Sequence, residues 1–211
     1  MPRLVSEAPG HVPARELLLD RCFGPDRHLK TSEMLRRGRR PAAGLAFAML
    51  NGRRLIGTLR LWHITAGTAG PALLLGPIAV EPKWQSEGWG ARLMRHGLAE
   101  AARLGHAAVV LVGDAPYYGR FGFTQELTQH LVLPGPVERE RFLGLELVPG
   151  ALEDARGAVV PGARVVARRS SEDDGRPTPA GGRVRKTVRA LRRLTPQPST
   201  SISERASAQR L

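Results

Sequence analysis

Apolar residues along this chain alternate between the two spacings that mark helix and sheet. Glu16, Leu17, Leu18 and Cys22 recur at helical intervals, and Phe23-Gly24-Pro25 is a stop, which predicts a helix over 15–23. A short strand over Arg3–Ser6 precedes it. Thr31 or Ser32 can cap a second short helix that runs through Met34 and Leu35 and ends at Gly38. Residues 43–50 read as a strand, and Asn51-Gly52 is the turn dipeptide that joins it to a return strand over 53–65. Along that return strand Ile56, Thr58, Arg60, Trp62 and Ile64 share one face, with Leu55, Leu59, Leu61 and His63 on the other.

The next apolar run, Leu73 to Val80, contains Gly76-Pro77. Proline has no N–H to give to a ladder, so the strand must bulge or lose its partner there. After a polar interval, Leu93, Met94, Gly97, Leu98, Ala101 and Leu104 fall on one side of a helix predicted over 90–104, stopped by Gly105. Residues 107–112 are apolar on both faces, the mark of a central strand. Two late strands are predicted over 143–148 and 157–167.

Past residue 167 the character of the chain changes. No aromatic residue follows Phe142, and Ser, Pro, Gly and Arg dominate the end. Segments 168–182 and 195–211 are too polar to order themselves. Between them Val184, Val188, Leu191, Leu194 and Thr195 lie along one side of a helical projection otherwise filled by Arg and Lys. The reading is a folded domain over 1–167 and a basic, largely disordered tail over 168–211, with an amphipathic helix at 183–194. Of a net charge of +13, the tail holds +7, from 11 basic and 4 acidic residues. Such a segment suits a nucleic-acid or anionic membrane surface, although it lacks aromatic residues for stacking on bases. A dispensable solvated extension is the plainer alternative.

The most informative stretch is Gln85-Ser86-Glu87-Gly88-Trp89-Gly90, between the strand and the helix. A glycine-spaced turn that opens a helix aims backbone N–H groups and the positive end of the helix dipole at an anion. Gly88 and Gly90 allow close approach, and the expected ligand is a phosphate or pyrophosphate. Neither Gly-x-x-x-x-Gly-Lys-Ser/Thr nor a third glycine at dinucleotide spacing is present, since Leu93 stands there.

The pattern Gln-x-x-Gly-x-Gly after Leu-Gly-Pro-Ile-Ala-Val, followed by helix, strand and Tyr118-x-x-x-Gly122-Phe123, resembles the GNAT superfamily of N-acetyltransferases. RELLLDRCFG, LIGTLRLW, LGHAAVVLVGDAPYYGRFGF and RFLGLELVPGAL are similar to its bacterial YhbS-like branch, so the resemblance covers roughly residues 3–155. It implies an α/β (α+β) fold with a mixed, mostly antiparallel sheet, helices on both faces, and a V-shaped splay between the fourth and fifth strands. It also implies direct acetyl transfer from acetyl-CoA, as co-substrate, to a primary amine on a small molecule or a protein.

By that resemblance Ile78, Ala79, Val80, Gln85, Ser86, Glu87, Gly88, Trp89, Gly90 and Ala91 bind acetyl-CoA. The pantetheine arm bonds to free backbone groups at Ile78 and Val80, and the N–H of Ile78 or Ala79 receives the oxyanion. Tyr118 is the expected general acid, because a phenol stays protonated at neutral pH, with Tyr117 as the fallback. Two positions depart from the family pattern. Glu87 puts a carboxylate beside an anion loop and is expected to turn to solvent, while Trp89 is expected to pack beneath the loop. No general base is legible: His63 shares an apolar face, and Glu16 and Glu33 lie near the acceptor wall. Arg36, Arg37, Arg39 and Arg40 fall on the acceptor side and suit a carboxylate or phosphate on the acceptor, or else form a solvated basic loop.

A single cysteine, Cys22, rules out a disulfide framework and a cysteine zinc site, and is expected to be a small buried hydrophobe. Six histidines show no ligand spacing, so no metal is expected. The absence of a secretory segment or a long apolar run points to a soluble, cytoplasmic protein. A homodimer is a further expected partner, since dimers are common in the superfamily. The rival functions are a non-catalytic acyl-CoA sensor and a protein that works through its basic tail.

Overall fold

The computed structural model describes residues 1–162. The tail over 168–211, its amphipathic stretch and the last residues of the final predicted strand lie outside the described residues. In chain order the elements are β1 (Arg3–Ser6), α1 (Val12–Phe23), α2 (Thr31–Met34), β2 (Ala46–Asn51), β3 (Arg54–Ala66) and β4 (Pro71–Val80). They continue with α3 (Trp89–Arg103), β5 (Ala108–Val112), α4 (Ala115–Gly119), β6 (His130–Val132), β7 (Phe142–Glu146) and β8 (Arg156–Pro161).

The sheet runs β1-β2-β3-β4-β5-β7, and β8 bridges the far end of β3 to β6. Pairing is antiparallel except for β4–β5 and β6–β8, so the sheet is mixed and mostly antiparallel. One face receives α3, whose Leu93, Met94, Leu98 and Ala101 pack on Phe47, Met49, Leu59 and Leu61. Gly97 lets this helix settle deep: a Cβ there would stand 2.5 Å from a Leu59 methyl. The opposite face is shared. Leu18 and Leu19 of α1 cover Ala48, Leu50 and Leu55, while Leu35, Leu131, Leu152 and Val159 cover Trp62, Ile64, Leu74 and Val110. A buried ion network fastens the α1 side, with Glu7 accepting from both Arg15 and Arg60 at 2.5 Å.

Most predicted elements are present with shifted ends, and the shifts have local causes. α1 begins a turn earlier, because Pro13 sits in its first turn, where no N–H is needed. β2 begins at Ala46 because Leu45 N–H closes a turn onto the Ala42 carbonyl. Asn51 pairs with Arg54, so the hairpin loop is Gly52-Arg53 rather than Asn51-Gly52, with the positive φ carried by Gly52. Register also slips where Met49 faces Gly57 but Leu50 faces Leu55. The extra residue, Ile56, turns onto the α3 face with Leu59 and Leu61, and Leu55 joins the α1 face, which exchanges the two faces predicted for that pair.

The bulge at Gly76-Pro77 is as expected: Leu59 opposes Ile78 while Leu61 opposes Leu75, leaving two residues of β4 against one of β3. The buried indole Nε1 of Trp62 donates to the Gly76 carbonyl at 2.6 Å. β4 and β5 pair only at Leu73↔Val109 and Leu74↔Val110. Beyond that point the two strands part, which is the splay between the fourth and fifth strands.

Candidate active site

The splay opens a cleft lined on one side by Leu75, Gly76, Pro77, Ile78, Val112 and Tyr118. Its other wall is Phe23, Arg27, Lys30, Ser32 and Arg36, from the end of α1, the turn after it, and the α2 region. The free edge of β4 can be read from the ladder. Glu81 N–H donates to the Ile56 carbonyl, so alternation makes Thr58 and Ala79 the next pair that exchanges hydrogen bonds. Ile78 and Val80 then face away from β3, into the space that β5 has left. Of the two expected oxyanion donors, Ala79 is committed to β3 and Ile78 is open. The Val80 carbonyl is taken by Gln85 Nε2 at 2.9 Å, with the Cys22 thiol at 3.5 Å, which leaves its N–H.

The loop read from sequence as an anion site follows directly. Ser86 and Gly88 have φ of 66° and 84°, and Glu87 between them does not, an alternation that turns successive N–H groups to one side. Gly88 caps α3 without a side chain, and no acidic residue stands in the first turn. Among the described residues, the N–H groups from Ser86 to Ala91 donate to no protein acceptor. A 15-residue helix thus presents an uncapped N-terminus at the end of β4. Glu87 is exposed and accepts from the Trp89 indole at 3.0 Å. Trp89 and Ala91 are half-buried against the core, as expected of Trp89. Gln85 braces the turn rather than facing the loop's hollow.

α4 links the loop to the cleft, and its brevity hid it from periodicity. Asp114 caps it by accepting from Tyr117 N–H at 3.2 Å. A Cβ on Gly90 would stand 2.9 Å from the Tyr117 hydroxyl, so Tyr117 touches the anion loop and does not line the cleft. The Tyr118 ring occupies the space left by Gly113, where a Cβ would lie 2.1 Å from its Cε2. Burial, then Tyr117 and Asp114, push the Tyr118 hydroxyl up to about 12, with Arg141 acting the other way.

Other predicted residues are dispersed. His63 lies at 5.4 Å from His106, before the start of β5 and away from the Val112 end where the cleft opens. Burial and His63 lower the pKa of His106. Glu16 is held by Arg15 and Arg27, and Glu33 by Arg36. Of the four arginines, Arg36 alone lines the cleft; Arg37 reaches the His28 carbonyl and Arg39 the Gly162 carbonyl. Cys22 is half-buried. Nothing in the sequence marked Phe23, Arg27, Lys30 and Ser32 as lining a cleft: Phe23 and Ser32 read only as a helix end and a helix cap, and Arg27 and Lys30 lie between them without periodicity. Among the described residues, no group of three or more His, Cys, Asp or Glu could hold a metal ion, and no helix is long and apolar enough to cross a membrane.

The acetyltransferase (GNAT) family matches the chain over residues 12–123. The chain belongs to this family. As a GNAT N-acetyltransferase it is an acyltransferase. It is 29% identical over 154 residues to the uncharacterized N-acetyltransferase YhbS of Escherichia coli K12, spanning 72% of this chain and 92% of that one. A second E. coli K12 relative, the uncharacterized N-acetyltransferase YjhQ, is 42% identical over 50 residues, 24% of this chain and 28% of that one. The crystal structure of E. coli YhbS in complex with CoA superposes with a TM-score of 0.66 at 26% identity, covering 76% of this chain and 89% of that one. A Brucella melitensis GNAT acetyltransferase, crystallised with acetyl-CoA, shares the fold with a TM-score of 0.55 at 23% identity, covering 77% and 97%.

Proposed function

We propose that this GNAT enzyme binds acetyl-CoA along the free edge of β4 and transfers the acetyl group directly to a primary amine. One observation carries the reading: the uncapped N-terminus of α3, the outward-facing groups of Val80 and Ile78, and Tyr118 stand in sequence along one edge. That order suits a ligand with a pyrophosphate at one end, an amide-bearing arm in the middle and a reacting thioester at the other. The capture of CoA by the similar E. coli protein supports the same ligand here. In this reading the N–H groups of Ser86–Ala91 cradle the pyrophosphate.

Acetyl-CoA supplies an activated acyl group, and the protein's own tasks are three. Ile78 N–H donates to the carbonyl oxygen as negative charge grows on it. Tyr118, protonated at neutral pH, gives its proton to the sulfur as the carbon–sulfur bond breaks and the carbon–nitrogen bond forms. The nitrogen's proton passes to water, because no carboxylate or imidazole lines the cleft among the described residues.

Calorimetry with acetyl-CoA tests the loop: micromolar binding by the parent, lost in a Gly88→Asp/Gly90→Asp variant, is the expected result. Thiol release with an amine panel then tests the chemistry, with Tyr118→Phe lowering kcat about a hundredfold. A folded parent that binds no acetyl-CoA overturns the proposal. Binding without turnover of any amine, small molecule or peptide, moves the reading to an acyl-CoA sensor.

A further inference from the structure

The cleft wall opposite Gly76–Ile78 is cationic, and its charge is only partly matched. Arg36 is 9% exposed, and its Nε donates to Glu33 at 2.5 Å. Its two terminal nitrogens have no protein acceptor among the described residues. Nη1 would lie 3.9 Å from a Cβ on Gly76, so this end of the guanidinium faces the β4 bulge. Lys30 stands on the same wall, with its ammonium 5.0 Å from the centre of the Phe23 ring and no carboxylate in ion-pair range among the described residues. Burial first, then Arg141 and Arg36, lower the Lys30 pKa, although the residue as a whole stays exposed. Arg141 has its nearest carboxylate, Glu138, at 3.7 Å.

The third cation of the wall behaves differently. Arg27 is neutralised by Asp20 at 2.7 Å and Glu16 at 2.5 Å. It is held in place, whereas Arg36 keeps two terminal nitrogens without a protein acceptor and Lys30 has no carboxylate partner among the described residues. A pyrophosphate does not account for them. The anion loop follows the far end of β4 after Val80, whereas Arg36 lies beside Gly76, four residues back along an extended strand, about 13 Å away. The free guanidinium donors and the unmatched ammonium are therefore at the reacting end of the cleft, beside Tyr118, where an acceptor must enter.

We propose that the acceptor amine carries a carboxylate or phosphate, held by the terminal nitrogens of Arg36 and by Lys30 while the amine faces Ile78 and Tyr118. The guanidinium fork can grip either oxyanion with two parallel hydrogen bonds. This inference rests on the acetyl-transfer reading above.

The test compares amines matched except for the anion: β-alanine against β-alaninamide, γ-aminobutyrate against its amide, and phosphoethanolamine against ethanolamine. Thiol release from acetyl-CoA is followed for each, and binding to the CoA-loaded protein is measured by calorimetry so that slow turnover still gives a reading. The anionic member of at least one pair is expected to win by roughly tenfold to a hundredfold in kcat/KM or affinity; the carboxylate and phosphate arms show which anion fits. Arg36→Lys and Lys30→Met are each expected to erase most of that preference while leaving CoA affinity unchanged. Arg36→Lys keeps the charge facing Glu33, so loss of the fork is separated from loss of the fold. Equal or better use of the neutral amines, or a preference untouched in both variants, overturns the proposal. Failure of the parent to bind CoA overturns the acetyl-transfer reading itself.

Discussion

Gly113→Ala places a single methyl group against the proposed acid. The new Cβ would stand 2.1 Å from Cε2, 2.8 Å from Cδ2 and 3.0 Å from Cζ of Tyr118. Carbon atoms rest about 3.5–4.0 Å apart, so the ring must retreat by roughly 1.5 Å. Gly113 is not among the residues with positive φ, so alanine suits the backbone and the effect is steric. Overpacking of this kind costs about 1–3 kcal/mol of stability. The proposed acid is displaced by more than an ångström, which lowers kcat about a hundredfold. CoA affinity is expected to hold, because the loop from Ser86 to Ala91 is untouched. The decisive form is a cycle with Tyr118→Phe: if both changes act through one hydroxyl, the double variant falls no further than Tyr118→Phe alone. A folded Gly113→Ala protein with kcat within about twofold of the parent would falsify the acid role for Tyr118 and the geometry assigned to it.

The pH profile offers an independent check. A general acid works only while protonated, so its contribution is lost as pH rises through its pKa; with Tyr118 pushed up to about 12, kcat should show no falling limb near the ordinary phenol value of about 10, and a limb there contradicts the assignment. Thr58→Val removes a hydroxyl that is fully buried and has no hydrogen-bond partner among the described residues; the variant should gain about 1 kcal/mol in denaturant unfolding, and a loss of that size shows that the hydroxyl has a partner in solution. Glu7→Gln leaves the buried guanidiniums of Arg15 and Arg60 without their shared carboxylate; it should cost about 3–5 kcal/mol, and a change under about 1 kcal/mol marks the network as solvated.

How much of this was legible depended on whether a signal was local. The glycine-spaced turn before α3 was readable because such a pattern between a strand and a helix has few uses, and the helix followed from six apolar positions in phase. The β4 bulge followed from one proline. What escaped was set by contacts across the sheet. The extra residue at Ile56 shows only when β3 is paired with β2, and it reassigns two side chains that simple alternation puts on the wrong faces. The cleft wall proposed for the acceptor escaped for another reason: Arg27 and Lys30 belong to a turn with no period, and Ser32 to a helix of four residues. Their role arises from β5 leaving β4, an event more than forty residues further on. Four arginines in a row of five looked equivalent in sequence, and only tertiary placement separates Arg36 from the others.

The depth at which α3 settles on the sheet has a bearing on how this site could be altered. Gly97 permits that depth by giving up its Cβ to Leu59, and it lies seven residues, about 10 Å, along the helix from Gly90. The helix acts as a rod seated along Leu93, Met94, Gly97, Leu98 and Ala101 and working at its tip. A library of variants confined to the residues around the ligand would leave the rod's seat untouched. One added methyl at Gly97, out of sight of any substrate, would press on the Leu59 side chain, and any movement of the helix that relieved the pressure would carry every donor of the loop together.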